Sequence, residues 1–431
     1  MRPVAKLLQQ GSNLVFANIV VRIGALVSLA VATLIVARTG GPKAVGVYAL
    51  LRVLPGLAGV LISAGLPGAV AYFLAGPQRD HPRLRTTIVA IATTGGLVGA
   101  LLWVLGAQPL TGVFFQGLHP GLVAWAGLTV LTQLFVATAK ACCQGYDDLP
   151  GANLVILLEE LLFLPAYVVV LAVGVRGYAA MVAALLLADV ATAIQAWWRL
   201  AGRGFFHDVS RPSLALAREV AAYGIRGQIG GVLLLLNLRL DFTILGALAG
   251  PAVLGTYAIA SKFAELLKLP GLAFTYVLYP QYARDGGPVA AARARALLPR
   301  AGALVAAAAL PLALVTGVLL PRLYGEAFRP AIVPAYILII GLAPEGLAGV
   351  ATAFLYGCGR PGLNSLAMGF GVVVTVVLDI LLIPRFHAVG AAAASSAAYL
   401  TTACMLIVAF WMVRRSYPTQ ELHVAPAQNA S

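Results

Sequence analysis

The chain has 431 residues, of which 61% are hydrophobic and 10% charged, with a mean hydropathy of +0.93. Soluble chains average about 25% charged residues, so this composition excludes a water-soluble fold. The 8% aromatic content and the lack of alternating polar and apolar segments exclude an outer-membrane barrel, and the net charge of +14 fits basic cytoplasmic loops better than nucleic-acid binding.

The apolar runs reach the roughly 20 residues that a membrane-spanning helix needs. The first, from Leu14 to Val36, is too long for a secretory h-region and carries Arg22, so it reads as a span. In chain order the predicted spans lie near residues 13–37, 45–74, 86–106, 121–140, 151–173, 178–198, 219–249, 252–279, 297–320, 331–356, 363–384 and 388–413. The expected fold is an all-α polytopic membrane protein of about twelve helices. It divides into a six-helix lobe over 1–200, a basic cytoplasmic linker over 201–218, a second six-helix lobe over 219–415 and a polar, disordered tail over 416–431. With both termini cytoplasmic, seventeen Arg and Lys fall on the inner segments and six on the outer ones, which sets the orientation as N-in and C-in.

An internal repeat supports this count. Gly41-Pro42-Lys43-Ala44-Val45-Gly46-Val47-Tyr48-Ala49 joins the first two spans, and Gly250-Pro251-Ala252-Val253-Leu254-Gly255-Thr256-Tyr257-Ala258 joins the seventh and eighth. Both read G-P-x-x-x-G-x-Y-A. Glycine tolerates the positive φ of a tight turn and proline stops the preceding helix. Six spans separate the copies, so the lobes share one orientation, related by a pseudo-twofold axis along the membrane normal. A parallel-repeat transporter of this kind is expected to bind its substrate between the halves. A looser echo pairs Glu160, five residues before Pro165, with Asp379, five before Pro384. Its offset is longer than that of the turns and requires an insertion.

Charges inside the spans are the candidate functional groups. They are Arg22, Arg52, Arg226, Arg239, Lys262, Lys268, Glu159, Glu160, Asp189, Asp241, Glu265, Glu345 and Asp379. Each costs about 2.5–3.5 kcal/mol at a helix centre if it faces lipid, so these groups must pair, snorkel or face water. Arg22 stands near the middle of the first span, too deep to snorkel easily, and shares a polar stripe with Asn18 and Thr33. It either faces a cavity or pairs with Asp189 or Glu160. Arg226, Asn237 and Asp241 recur on one face of the seventh span, with Arg239 nearly opposite. Lys262 and Glu265 are spaced to pair along their helix.

Enzymatic constellations are missing from the sequence. The five histidines are scattered through loops and the tail, and there is no phosphate-binding Gly-Lys-Ser/Thr loop, C-x-x-C or H-E-x-x-H. The adjacent Cys142 and Cys143 read as small apolar packing, and Asp147-Asp148 as an acidic pair on an inner loop.

Ala37-Arg38-Thr39-Gly40-Gly41-Pro42 with Gly46-Val47-Tyr48-Ala49 resembles the first-turn signature of polysaccharide flippases in the multidrug/oligosaccharidyl-lipid/polysaccharide exporter superfamily. Asn237-Leu238-Arg239-Leu240-Asp241 through Gly246, Leu323-Tyr324-Gly325-Glu326-Ala327-Phe328, Gly357-Cys358-Gly359-Arg360-Pro361 and Leu382-Ile383-Pro384 resemble later parts of the same family. Asp379 departs from it, standing where the family often has Asn. The resemblance implies a two-lobed fold in a bacterial inner membrane and a central cavity open to one side at a time. It further implies translocation of undecaprenyl-pyrophosphate-linked oligosaccharide from the inner to the outer leaflet, with lipids and other glycan-assembly proteins as partners and no nucleic acid.

Arginine matches phosphate oxygens as a bidentate donor, so Arg22, Arg52, Arg226, Arg239 and Lys262, with Asn18 and Asn237, are the expected pyrophosphate-binding set. A rival reading is a cation-coupled small-molecule or multidrug antiporter of the same superfamily. A membrane glycosyltransferase or polymerase would need larger outer loops than this chain has. Without a nucleotide site, the expected energy source is a Na⁺ or H⁺ gradient. The proposed ion ligands are Asp241, Asp379, Ser395 and Ser396, a placement that the related lipid II flippases support by analogy.

Overall fold

The computed structural model describes residues 2–63, 65–79, 81–207 and 210–417. At 2–19, 60, 227–235, 237, 238, 276 and 280 it describes the backbone alone. Among the described residues the regular structure is helical throughout. Seven helices are long and apolar enough to cross a membrane, and nine segments qualify when two bent helix pairs are included. Three of these nine are each broken by one non-helical residue, Gly41, Gly250 or His387. Counting the breaks as boundaries resolves twelve spans, in agreement with the hydropathy reading.

These spans are α1 (2–40), α2 (42–62, continued by Leu66–Ala75), α3 (Leu84–Leu105), α4 (Pro120–Gly145), α5 (Leu149–Leu161 and Phe163–Ala172), α6 (Gly177–Gly202), α7 (214–249), α8 (251–285), α9 (Gly287–Tyr324), α10 (Glu326–Leu342 and Glu345–Gly357), α11 (361–386) and α12 (388–415). α9 begins ten residues before its hydropathy boundary, because the Ala- and Arg-rich stretch from Gly287 is a good helix former although it is too polar to register as membrane.

The duplicated turns are single-residue breaks. Gly41 has φ 67° and ψ −165°, and Gly250 has φ 80° and ψ 172°. This region of backbone space is open to glycine almost alone. Proline follows each glycine at the first position of the next helix, where its missing N–H costs nothing. His387 makes the third break with φ 49°.

The chain divides into two compact units. Unit 1 comprises Met1–Val232 and Gly250–Ala252, and unit 2 comprises Leu233–Ala249 and Val253–Ser431. The division falls inside α7. The core of unit 1 gathers Val70 and Phe73 of α2, Ile88 of α3, Leu134, Cys142 and Cys143 of α4, Val155 of α5 and Leu200 of α6. Both cysteines are buried and reduced. In unit 2 the core gathers Tyr282 of α8, Leu298 of α9, Phe354 of α10 and Phe410 of α12. There α8 and α10 approach until their backbones touch at Gly271 and Gly349, with no space for a Cβ on either. The Thr275 hydroxyl donates across this contact to the Gly349 carbonyl at 3.0 Å.

Large apolar side chains line the outside of both units, among them Leu105, Val173, Leu314 and Ile340. Helical threonines such as Thr33, Thr93 and Thr316 donate to carbonyls one turn back, which satisfies their hydroxyls in a solvent that offers no partners. The protein is a multi-pass membrane protein.

Candidate functional site

The break at Gly250 folds α8 back so that, in unit 2, Tyr257 meets Asp241 of α7, sixteen residues earlier. Asp241 is 3% exposed. One oxygen accepts from the Tyr257 hydroxyl at 2.5 Å and from Ser395 Oγ of α12 at 3.2 Å. The other accepts the backbone N–H of Phe242 at 2.8 Å. Tyr257 and Ser395 also touch, at 2.9 Å. Asp379 of α11 is fully buried, neither of its oxygens has a hydrogen-bond partner, and it lies within electrostatic reach of Asp241. A buried, unpartnered carboxylate beside a second one requires a proton or a cation to offset its desolvation.

Tyr257 is the member of this cluster that sequence reading passed over, although the repeated G-P-x-x-x-G-x-Y-A pattern contains it. Ser396 goes elsewhere, because its hydroxyl donates to the Ile337 carbonyl at 2.8 Å. Consecutive helical residues point about 100° apart, and here that step turns Ser396 toward α10 while Ser395 faces Asp241. Among the described residues no group of three or more His, Cys, Asp and Glu converges to hold a metal ion.

A second polar group in unit 2 surrounds the 3₁₀ turn Glu265–Leu267 within α8. Glu265 lies 3.7 Å from Arg239 and 3.6 Å from Lys268. The Lys268 ammonium reaches the Tyr399 hydroxyl at 3.4 Å and stands 4.4 Å from that ring. Lys262 is half-buried on α8.

Unit 1 contains a cavity of about 310 Å³ lined by Arg52, Gln133, Glu159, Glu160, Phe163 and Asp189, among others. Arg52 is held at its wall. One guanidinium nitrogen is 2.6 Å from Glu160 and the other donates to the Tyr48 hydroxyl at 3.0 Å. Asp189 accepts from Thr132 at 3.1 Å, and Glu159 is paired with Lys140 at 2.8 Å. Glu160 is therefore the partner of Arg52. Arg22 itself is exposed, whereas Thr33 is buried and bonded to its own helix. The expected Asn18/Arg22/Thr33 stripe thus ends before Thr33, and the Asn18 and Asn237 side chains lie outside the described residues.

Arg226 lines a different cleft of unit 1, about 330 Å³, with Gln78, Glu219 and the stacked pair Tyr72 and Tyr223, whose centroids are 4.1 Å apart. Arg226 and Asp241, assigned to one helix face from their spacing, fall in different units. The expected phosphate-binding set is likewise distributed: Arg22, Arg52 and Arg226 belong to unit 1, and Arg239 and Lys262 to unit 2.

At the α4–α5 connection Asp148 is far from ordinary loop chemistry. Its side chain is fully buried. It caps α5 through the Gly151 N–H at 3.0 Å, accepts two bonds from Arg199 at 2.6 and 2.9 Å, and lies 3.1 Å from Arg203. The Arg199 guanidinium beside it holds its carboxyl below the usual carboxylate range. The spacing D-x-x-G at a helix start was the available signal.

Two helical units with carboxylates and cations buried in apolar spans make up a fold that solved structures of membrane proteins share. The fold is similar to that of a multidrug-resistance MATE transporter of the MOP superfamily in an inward-facing conformation, with 15% identity, 91% of this chain and 95% of that one covered, and a TM-score of 0.73. It is similar to the lipid II flippase MurJ in an inward closed conformation at 10% identity, 93% and 90% coverage and a TM-score of 0.72. A Vibrio cholerae MATE transporter aligns at 14% identity over 97% of this chain and 99% of its own, with a TM-score of 0.59. Residues 35–332 match the family described as polysaccharide biosynthesis protein, and the chain belongs to that family. No protein of curated function matches it.

Proposed function

We propose that this protein is a flippase that carries an undecaprenyl-pyrophosphate-linked oligosaccharide from the inner to the outer leaflet of a bacterial inner membrane by alternating access. The observation that carries this reading is membership of a polysaccharide biosynthesis family by a chain whose fold is that of transporters. A transporter contributes to glycan assembly by moving an intermediate across the membrane, and the lipid II flippase among its structural neighbours moves a lipid-linked one. Cationic side chains in apolar helices suit the pyrophosphate. Arg22 and Arg226 are exposed, and Arg239 and Lys262 are half-buried. Arg52 contributes only if its pair with Glu160 opens. The excess of inner-segment Arg and Lys supports cytoplasmic termini.

The coupling ion in this reading is Na⁺ or H⁺, held in unit 2 by Asp241 and Asp379 with the Ser395 and Tyr257 hydroxyls. The unpartnered Asp379 carboxylate supports it. A membrane potential of 100 mV supplies about 2.3 kcal/mol per charge moved.

The cavity of unit 1, where Glu159, Glu160 and Asp189 face Arg52, favours one rival, an antiporter of organic cations. Purified protein in liposomes separates the two readings when it is offered fluorescent polyprenyl-pyrophosphate oligosaccharide in one arm and a cationic dye in the other. Flux of the lipid that ends with Asp379→Asn supports the coupled flippase. Flux of the dye alone refutes it.

A further inference from the structure

Each unit carries its own version of one arrangement. The break at Gly41 is followed seven residues later by Tyr48, and the break at Gly250 by Tyr257 at the same spacing. Both rings are completely buried. α5 and α11 contribute the paired acids Glu160 and Asp379, each five residues before a proline. Around Tyr48 stand the carboxylates of Glu160 and Asp189 and the Thr132 hydroxyl. Tyr257 touches the carboxylate of Asp241 and the Ser395 hydroxyl, and Asp379 lies within electrostatic reach of Asp241. Each version therefore has two carboxylates and two hydroxyls, drawn from four helices.

The two versions differ one helical turn past the tyrosine. In unit 1 that residue is Arg52, which bonds to both Tyr48 and Glu160. In unit 2 it is Ser261, small and buried. A carboxylate taken out of water needs a compensating cation or a proton. Unit 1 has one covalently attached and permanently charged. Unit 2 leaves Asp379 with no hydrogen-bond partner, while Arg239 and Lys268 are turned to Glu265.

We propose that the Arg52 guanidinium is a tethered cation, occupying in unit 1 the place that a free monovalent cation takes in unit 2, so that removing it exposes a second monovalent-cation site built from Glu160, Asp189, Tyr48 and Thr132. The proposal rests on the cation reading of Asp241 and Asp379. It withdraws Arg52 from the phosphate-binding set and leaves Arg22, Arg226, Arg239 and Lys262. It also gives the duplication a division of labour, with one unit permanently charged and the other charged by the ion gradient.

Thermal unfolding of the purified full chain in detergent, with choline chloride replaced by sodium, lithium or potassium chloride at fixed ionic strength, reads cation binding without reference to transport. A cation that binds only the folded state raises the midpoint, by on the order of 5 °C at a hundredfold excess over Kd. The wild-type chain should respond through unit 2, and Asp379→Asn should remove that response. Adding Arg52→Ser to Asp379→Asn should restore a response, whereas Arg52→Lys, which keeps a tethered charge, should not. Adding Glu160→Gln to the restored variant should abolish it again.

If no cation stabilises the Arg52→Ser variants more than it stabilises Asp379→Asn alone, the tethered-cation assignment is overturned. A wild-type chain that ignores every cation, with a response gained in Arg52→Ser, overturns the ion reading of unit 2 and leaves the assignment of Arg52 standing. If Arg52→Ser does not fold, Arg52→Ser/Glu160→Gln should fold, since it removes the charge together with its partner. A double variant as unstable as the single one also overturns the proposal.

Discussion

Replacing Asp148 by Ala removes a side chain that is fully buried yet accepts from one backbone amide and lies within salt-bridge distance of two guanidinium groups. Loss of an N-cap acceptor costs about 1 kcal/mol, and charged hydrogen bonds contribute roughly 1.5–3 kcal/mol each. The stranded cations recover part of this from water, because Arg199 is 30% and Arg203 49% exposed. The cost therefore falls short of the ~3–5 kcal/mol that a fully buried orphan charge imposes. We expect a net loss of about 2–4 kcal/mol for Asp148→Ala and about 1–3 kcal/mol for Asp148→Asn, which keeps a cap acceptor without the charge. In a unit of this size each kcal/mol moves the midpoint by roughly 2–4 °C. Asp148→Ala should then unfold about 4–16 °C below wild type, read by tryptophan fluorescence in detergent.

The same residue sets a pH signature. Its carboxyl is held below the ordinary range in the folded chain, so the unfolded chain binds the proton more readily. The stabilisation is complete above the unfolded pKa near 3.9 and is lost as the pH falls through the lower folded value. The gap between wild type and Asp148→Asn should be constant from pH 8 to about 5 and close at lower pH. A midpoint for Asp148→Ala within 1 °C of wild type, or a gap that closes between pH 7 and 6, would refute this reasoning.

Three further outcomes follow from local geometry. Gly41→Ala and Gly250→Ala should each lower stability by about 1–3 kcal/mol, since a Cβ is strained at these backbone angles, whereas Pro42→Ala should change the midpoint little. Gly349→Val should separate α8 from α10, because the added atoms meet the Gly271 backbone. Faster proteolysis between 265 and 357, with a loss of about 1–3 kcal/mol, would register it. Trp103→Phe deletes a buried indole N–H bonded to the Val123 carbonyl at 2.7 Å and should cost about 1–2 kcal/mol, with an unchanged midpoint as the contrary result.

Much of this protein is written locally along the chain. The length of an apolar run decides whether a helix spans a membrane, and a glycine before a proline decides where one helix stops and the next starts. The twelve spans and the matched breaks at Gly41 and Gly250 could therefore be read from sequence alone. So could the buried, unbridged state of Cys142 and Cys143. Partnership could not be read, because periodicity tells which residues share a face but not which helix lies opposite. The sequence did not point to the pairing of Glu160 with Arg52, 108 residues away, which tertiary packing set. Tyr257 looked like part of a turn motif until the fold aimed its hydroxyl at Asp241. Ser396 looked equivalent to Ser395, but a 100° step along α12 sends it to the Ile337 carbonyl. Asp148 looked like solvated loop until the end of α6 and the residue after it brought two arginines over it. In an apolar medium every charge must find a partner, and which partner it finds is a property of how helices distant in sequence pack together.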